Sequence, residues 1–250
     1  MLSLKKFFSN IYKSFIYEIF KLIYGKIKSV YKNRDTDEVN DEKIVLSENF
    51  YKFYFCKNSS LYTDTVHDLA IIKDNEIING PSFQYRNNAI GLPVNEECKN
   101  NIVFKKGTPR FKKKFNGKIF SLLTGGGGNQ NYWHWLFDVL PRLGILEKSV
   151  KDVTIDYYLF PDLNQKFQKE SLDLLNIPSD KRLSSKVFRH LSADQIIATS
   201  HPYTILNDPL LDSLNIPQWI IDFLKKKFLN KVKVQDNEFK KIFINRKDGK

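Results

Sequence analysis

A chain of 250 residues, 42% hydrophobic and 14% aromatic, holds ample material for one large packed domain or two small ones, which excludes general disorder. Its formal charge of +12 gathers at the ends: residues 1–34 carry eight Lys/Arg against Glu18 alone, residues 225–250 carry ten against three acids, and the body is slightly acidic. Two cysteines, Cys56 and Cys98, without metal or redox spacing fit a reduced protein rather than a disulfide scaffold, and both read as structural.

At the N-terminus, Leu4, Phe8, Ile11, Phe15, Ile19 and Leu22 step by three and four and draw one apolar stripe along a helix. Lys5, Lys6, Lys13, Lys21 and Lys28 fall away from that stripe. The longest uncharged run, 7–12, is too short to span a bilayer, and no signal-peptide cleavage pattern follows. Such a helix suits an anionic membrane surface, or packing on the body or on a partner. Next comes a polar, charged hinge at 33–43. It contains Asp35-Thr36-Asp37, an aspartate pair of the kind that sugar-nucleotide enzymes use to hold a metal. In a charged linker with no strand before it, the pair reads as solvated.

Within the body, residues 68–80 are two apolar runs about Lys73-Asp74-Asn75-Glu76, a hairpin. The stretch 105–118 holds seven Lys/Arg and no acid; it would attract an anionic substrate or leaflet, or serve as a solvated loop. Strands are expected at 118–124, 154–160, 195–200 and 240–246. Helices are expected at 131–148, where Pro141 kinks or stops the run, at 164–177, and at 217–232 behind Pro217. This alternation predicts an α/β layer with a mainly parallel sheet. Residues 119–137 are uncharged over nineteen positions, but four glycines and Asn129, Gln130 and Asn131 exclude a membrane span. No zinc spacing, helix-turn-helix cue or RNP-like motif accompanies the basic charge, so nucleic acid is not an expected partner. The closing run at 242–245 flows into the turn signal Asp248-Gly249, which reads as the opening of a further α/β unit.

The stretch GGGGNQNYWHWLFDVLPRL, 125–143, carries the chemistry. A glycine-rich turn between a strand and a helix start can bring N–H groups to an anion, although Gly125-x-Gly127-x-x-Gln130 lacks a third glycine and no Gly-Lys-Ser/Thr follows. On the helix, His134, Asp138 and Arg142 recur at i, i+4 and i+8 and should share a face. They form either a self-satisfied brace or part of a site. His67, His190 and His201 have no ligand spacing and read as ordinary hydrogen-bonding histidines.

Asn131-Tyr132-x-His134-Trp135-x-x-Asp138-x-Leu140-Pro141-Arg142-Leu143 resembles the signature block of glycosyltransferase family 61, the capsular-polysaccharide-type transferases. Ser121-Leu122-Leu123-Thr124-Gly125 before it, Phe167-Gln168-x-Glu170-x-Leu172 after it, and the closing Ile242-x-Ile244-x-Arg246 are similar too, over roughly residues 61–247. The resemblance implies an α/β fold, specifically the Rossmann-like N-terminal lobe of a two-lobed GT-B transferase. Residues 1–34 would be a basic amphipathic helix, 35–60 a charged hinge and lead-in, 61–235 the acceptor-side lobe, and 236–250 the first strand of a truncated donor lobe. The implied activity is inverting transfer of a sugar from a nucleotide-sugar donor to a glycan or lipid-linked acceptor in polysaccharide synthesis. Asp138, with His134 as the alternative, would be the base, and Asn131, Arg142, Gly127, Gly128 and Arg246 would contact substrate. No cofactor is expected, and the lack of a well-placed aspartate pair points to metal independence. Expected partners are the donor, the acceptor, an anionic membrane surface at the cytoplasmic face, and a second polypeptide carrying the donor lobe. The rival expectation is a non-catalytic, membrane-associated subunit of a polysaccharide-synthesis complex.

Overall fold

The computed structural model describes residues 2–31, 38–64, 68–87, 93–96, 98–123, 131–148, 153–203 and 209–229. The Asp35-Thr36-Asp37 pair, His67, the glycine run with Gly127 and Gly128, and the closing strand with Arg246 lie outside them.

Helix α1 (Leu2–Tyr24) leads into β1 (Ser29–Tyr31). Strands β2 (Val39–Leu46) and β3 (Asn49–Tyr62) then pair antiparallel, so the described part of the stretch expected as hinge and lead-in, from Val39 on, belongs to the sheet instead. The reason is burial: Val39 and Ile44 go inside, and along β3 Phe53 and Phe55 face one side while Tyr54 and Cys56 face the other. The two strands join through Ser47 and Glu48, both at positive φ, a two-residue hairpin turn made without glycine. The Asp74-Asn75 turn, also at positive φ, joins β4 (Asp68–Lys73) to β5 (Glu76–Ile78) as the sequence predicts. Strands β6 (Phe83–Asn87) and β7 (Pro93–Glu96), helix α2 (Val103–Lys106) and β8 (Lys113–Lys114) follow.

The second half alternates. Strand β9 (Lys118–Ser121) precedes a helical run of three parts: α3 (Tyr132–His134), a π-helical turn (Trp135–Val139) and α4 (Pro141–Glu147). Then come β10 (Tyr157–Phe160), α5 (Lys166–Leu174), β11 (Arg182–Ser184), β12 (His190–Thr199), α6 (Pro209–Leu214) and α7 (Gln218–Phe228). Helix α5 starts at a reciprocal cap in which the Gln165 N–H donates to Gln168 Oε1 at 2.9 Å.

The fold is α/β around a large mixed sheet, with the strand order β1-β5-β4-β3-β12-β9-β10-β11. A mainly parallel sheet is not what forms. Strands β12, β9, β10 and β11 are parallel to one another, but β3 pairs antiparallel with β2, β4 and β12. One sheet face packs Phe53, Phe120, Phe160 and Ile197 against Trp135, Leu140, Leu143, Leu172, Trp219 and Ile220 from the helices. The opposite cluster, with Cys56, Ile119, Leu159 and Ile196, contains only strand and loop residues among those described. No described helix is long and apolar enough to cross a membrane.

Candidate functional site

In the parallel half, the chain moves from β9 outward to β10 and β11, then returns to place β12 on the other flank of β9. The C-terminal ends of β9 and β12 therefore lie side by side, and the helices that follow both strands pack on one face of the sheet. The 125–143 motif joins the end of β9 to α4 at this point, and Thr199 and His201 close β12.

Asn131 is the helix N-cap. Its extended backbone turns the chain in, and its Oδ1 accepts the Trp133 N–H at 2.9 Å, so the side-chain oxygen expected to meet substrate serves the helix start. Three residues on, the ladder widens, with the Leu140 N–H reaching Trp135 O, five residues back, at 3.0 Å. The π turn ends where Pro141 begins α4 and has no N–H to give.

That turn alters the expected His134–Asp138–Arg142 ladder. His134 and Asp138 do meet, with Nδ1–H donating to Oδ2 at 2.7 Å. Arg142 instead aims Nε at the main-chain carbonyl of Asp138, at 3.2 Å, and Nη1 at Thr199 O and Oγ1, at 2.9 and 3.1 Å. Only 4% exposed, Arg142 ties the helix to the end of β12. Exposure also separates the other two, since the His134 side chain is 30% exposed and that of Asp138 only 3%. The second carboxylate oxygen, Asp138 Oδ1, is buried and accepts no hydrogen bond from the described residues, and neither does Ser121 Oγ at the end of β9.

Two residues join that the spacing did not single out. His201 lies within electrostatic reach of Asp138, Arg142, Asp212 and His134; burial pushes its pKa down to about 4, with Arg142 and His134 acting the same way and Asp138 and Asp212 opposing. Its Nδ1 accepts the Tyr203 N–H at 3.4 Å, and the two rings meet edge to face at 4.6 Å. Trp133 lies 5.7 Å from Tyr203 and 5.1 Å from His134, so the rings of His134, Trp133, Tyr203 and His201 follow one another in contact. The segment carrying His201 is pinned from below: Tyr51 Oη donates to Pro202 O at 2.9 Å and accepts from Trp219 Nε1–H at 2.8 Å.

An apolar pocket of about 390 Å³ lies elsewhere on this helical layer, lined by Tyr132, Trp135, Phe167, Leu224 and Phe228 rather than by the His134–Asp138 pair. The basic run 105–118 also stands away from the site. Strand β8 pairs with Leu191 and Ser192 at the start of β12, the end opposite Thr199, and Lys106 is spent on Asp64 at 2.6 Å. Among the described residues, no group of three His, Cys, Asp or Glu side chains is placed to hold a metal. His190 is structural, with Nδ1–H donating to Arg110 O at 2.9 Å between the rings of Tyr24 and Tyr62. Neither cysteine is in a disulfide, both are buried, and burial pushes the Cys56 thiol up to about 12.

No family model matches this chain, and comparison with curated proteins and with solved structures yields no match.

Proposed function

We propose that the chain is the acceptor-side, Rossmann-like portion of an inverting GT-B-type glycosyltransferase that moves a sugar from a nucleotide-sugar donor to a glycan or lipid-linked acceptor. The observation that carries this reading is the His134–Asp138 hydrogen bond of 2.7 Å at the carboxyl ends of the parallel strands β9 and β12. The resemblance of 131–143 to the family 61 block supports it independently.

Burial divides the roles. A base must touch the acceptor hydroxyl, and His134 is the exposed member of the pair. His134 Nε2 takes the hydroxyl proton while Asp138 Oδ2 holds the Nδ1–H and stabilises the imidazolium that forms. The acceptor oxygen bonds to the anomeric carbon from the face opposite the leaving group. The anomeric C–O bond breaks, and the nucleoside diphosphate departs with the electron pair. The partly buried Trp133, backed edge-on by the buried Tyr203, offers a ring against which an acceptor sugar can lie, and Arg142 positions the dyad without touching substrate. In this role the preference shifts from Asp138 to His134 as base. A lipid-linked acceptor would place the reaction at the cytoplasmic face of a membrane.

Arg142 favours a second reading. A buried guanidinium bonded to Thr199 and the Asp138 carbonyl is what a non-catalytic scaffold subunit would also keep. Transfer from a panel of nucleotide sugars, measured for the chain alone and with polypeptides encoded beside it, separates the two. His134→Ala should lower kcat/KM by about 10²–10⁴ with the circular dichroism spectrum unchanged. Full turnover by that variant would remove His134 from the chemistry. Absence of transfer in every combination would favour the scaffold.

A further inference from the structure

The apolar stripe of α1 comprises Leu4, Phe8, Ile11, Phe15 and Leu22, and the helix is bound to the body by a different face. Phe20 is buried and packs edge-on to Phe111 at 5.3 Å; Tyr24 packs on His190 at 4.9 Å and accepts the Lys112 N–H at 3.0 Å. At about 100° per residue, Phe20 and Tyr24 lie nearly half a turn around the helix from Leu22. Leu22 is accordingly 87% exposed although it sits in the turn that docks, and Phe15 and Phe8 are 64% and 62% exposed. Only the last turns of α1 dock, by the face opposite the stripe, and residues 6–15 are exposed all round, so the stripe faces outward along its length; singly scattered surface residues do not account for so long a row.

Charge identifies what covers it. Lys6 and Lys13 are exposed on the helix, and Arg110, Lys112, Lys113 and Lys114 are exposed where the basic run lies against its docked end, beside Phe111 at 82%. A second copy of the chain seated on the stripe would offer these cations no counter-charge. An anionic lipid leaflet supplies acyl chains for the phenylalanines and phosphates for the lysines in one surface. We infer that α1 and the 110–114 stretch together form a docking surface for an anionic bilayer, with α1 lying in the plane of the interface.

This surface stands at the start of β12, opposite the His134–Asp138 end, so it is independent of the transferase reading and can be tested apart from it. The full chain is sedimented with vesicles of neutral phosphatidylcholine, with or without about one-third anionic phosphatidylserine. Binding is expected only with the anionic lipid, and raised salt should weaken it. The exposed double substitution Phe8→Glu/Phe15→Glu should weaken partitioning by at least about tenfold, since it exchanges two buried aromatic contacts for two charges facing phosphate. Unfolding curves matching those of the native chain would show that the variant remains folded. Equal sedimentation of the two proteins, or no sedimentation with anionic vesicles, would overturn the inference. So would a concentration-dependent dimer that the same substitution dissolves, which would assign the stripe to a second copy.

Discussion

The hydroxyl of Tyr51 joins three parts of the chain. It sits on β3, its proton goes to Pro202 O beyond β12, and its lone pair takes the Trp219 N–H of α7. Burial pushes its pKa up, so it remains a neutral phenol and can donate and accept at once. Because Pro202 lies between His201 and Tyr203, this one hydroxyl helps position the row of rings that runs from His134. Tyr51→Phe keeps the ring and its edge-on packing with Trp219 at 5.4 Å but strands a buried N–H and a buried carbonyl. Urea unfolding should show a loss of about 1–3 kcal/mol, the cost of unpaired buried polar groups; an unchanged midpoint would mean that water replaces the hydroxyl. Asn131 and Arg142 make a related point. Both belong to a motif that resembles a transferase block, yet each has committed side-chain atoms to structure, Asn131 to a cap and Arg142 to Thr199. Residue type and spacing located the helix, whereas exposure and partners separate the group that meets substrate from those that hold it.

Between elements, the closest approach that fixes the site is α4 on α7. A Cβ at Gly144 would come within 2.9 Å of Phe223 and 3.1 Å of Trp219, so the two helices cross where one has no side chain. Trp219 is buried and bonded to Tyr51, which leaves it little room to give way. Gly144→Val should therefore destabilise by about 1–3 kcal/mol despite glycine's poor helix propensity, measurable as a lower melting temperature. A variant as stable as the native chain would mean that α7 slides freely. The periodicities of α1, α5 and α7 and the Asp74-Asn75 hairpin were legible because period and turn chemistry are local. Strands β2 and β3 were not: Ser47-Glu48 makes their turn without glycine, and NFYKFYFCKNSSLY buries residues on both faces and so does not alternate cleanly. His134 and Asp138 were legible as a pair because i and i+4 meet on a helix. His201 was not, since it reaches them only through the return of β12 beside β9, a pairing that no local pattern encodes.

For the whole molecule, the buried His190, the partly buried His201 and the carboxylate of Asp64 contribute to the response to acid. His190 and His201 both have pKa values lowered from 6.5 to about 4, chiefly by burial. At His190 the hydrogen bond to the Arg110 carbonyl opposes this and Lys112 adds to it; at His201 the nearby carboxylates oppose it. Between those values the unfolded chain binds protons that the folded one refuses, so stability is full above about pH 6.5 and falls as pH drops toward 4. Asp64 extends the loss. Burial alone would raise its pKa, but hydrogen bonds from Lys106 and Arg110 outweigh that and hold it below the usual carboxylate range. Its contribution is therefore present above the unfolded carboxylate value and disappears as pH falls through its own lower one. Both displacements act in the same direction, so stability should decline between pH 6.5 and 4.5, before most carboxylates titrate. Urea unfolding free energies at half-unit steps from pH 8 to 4 would reveal it. The double variant His190→Gln/His201→Gln should start lower at pH 8, having lost packing against Tyr24, Tyr62 and Tyr203, yet run flatter between pH 6.5 and 4.5. A native profile already flat across that window would mean that both imidazoles reach water.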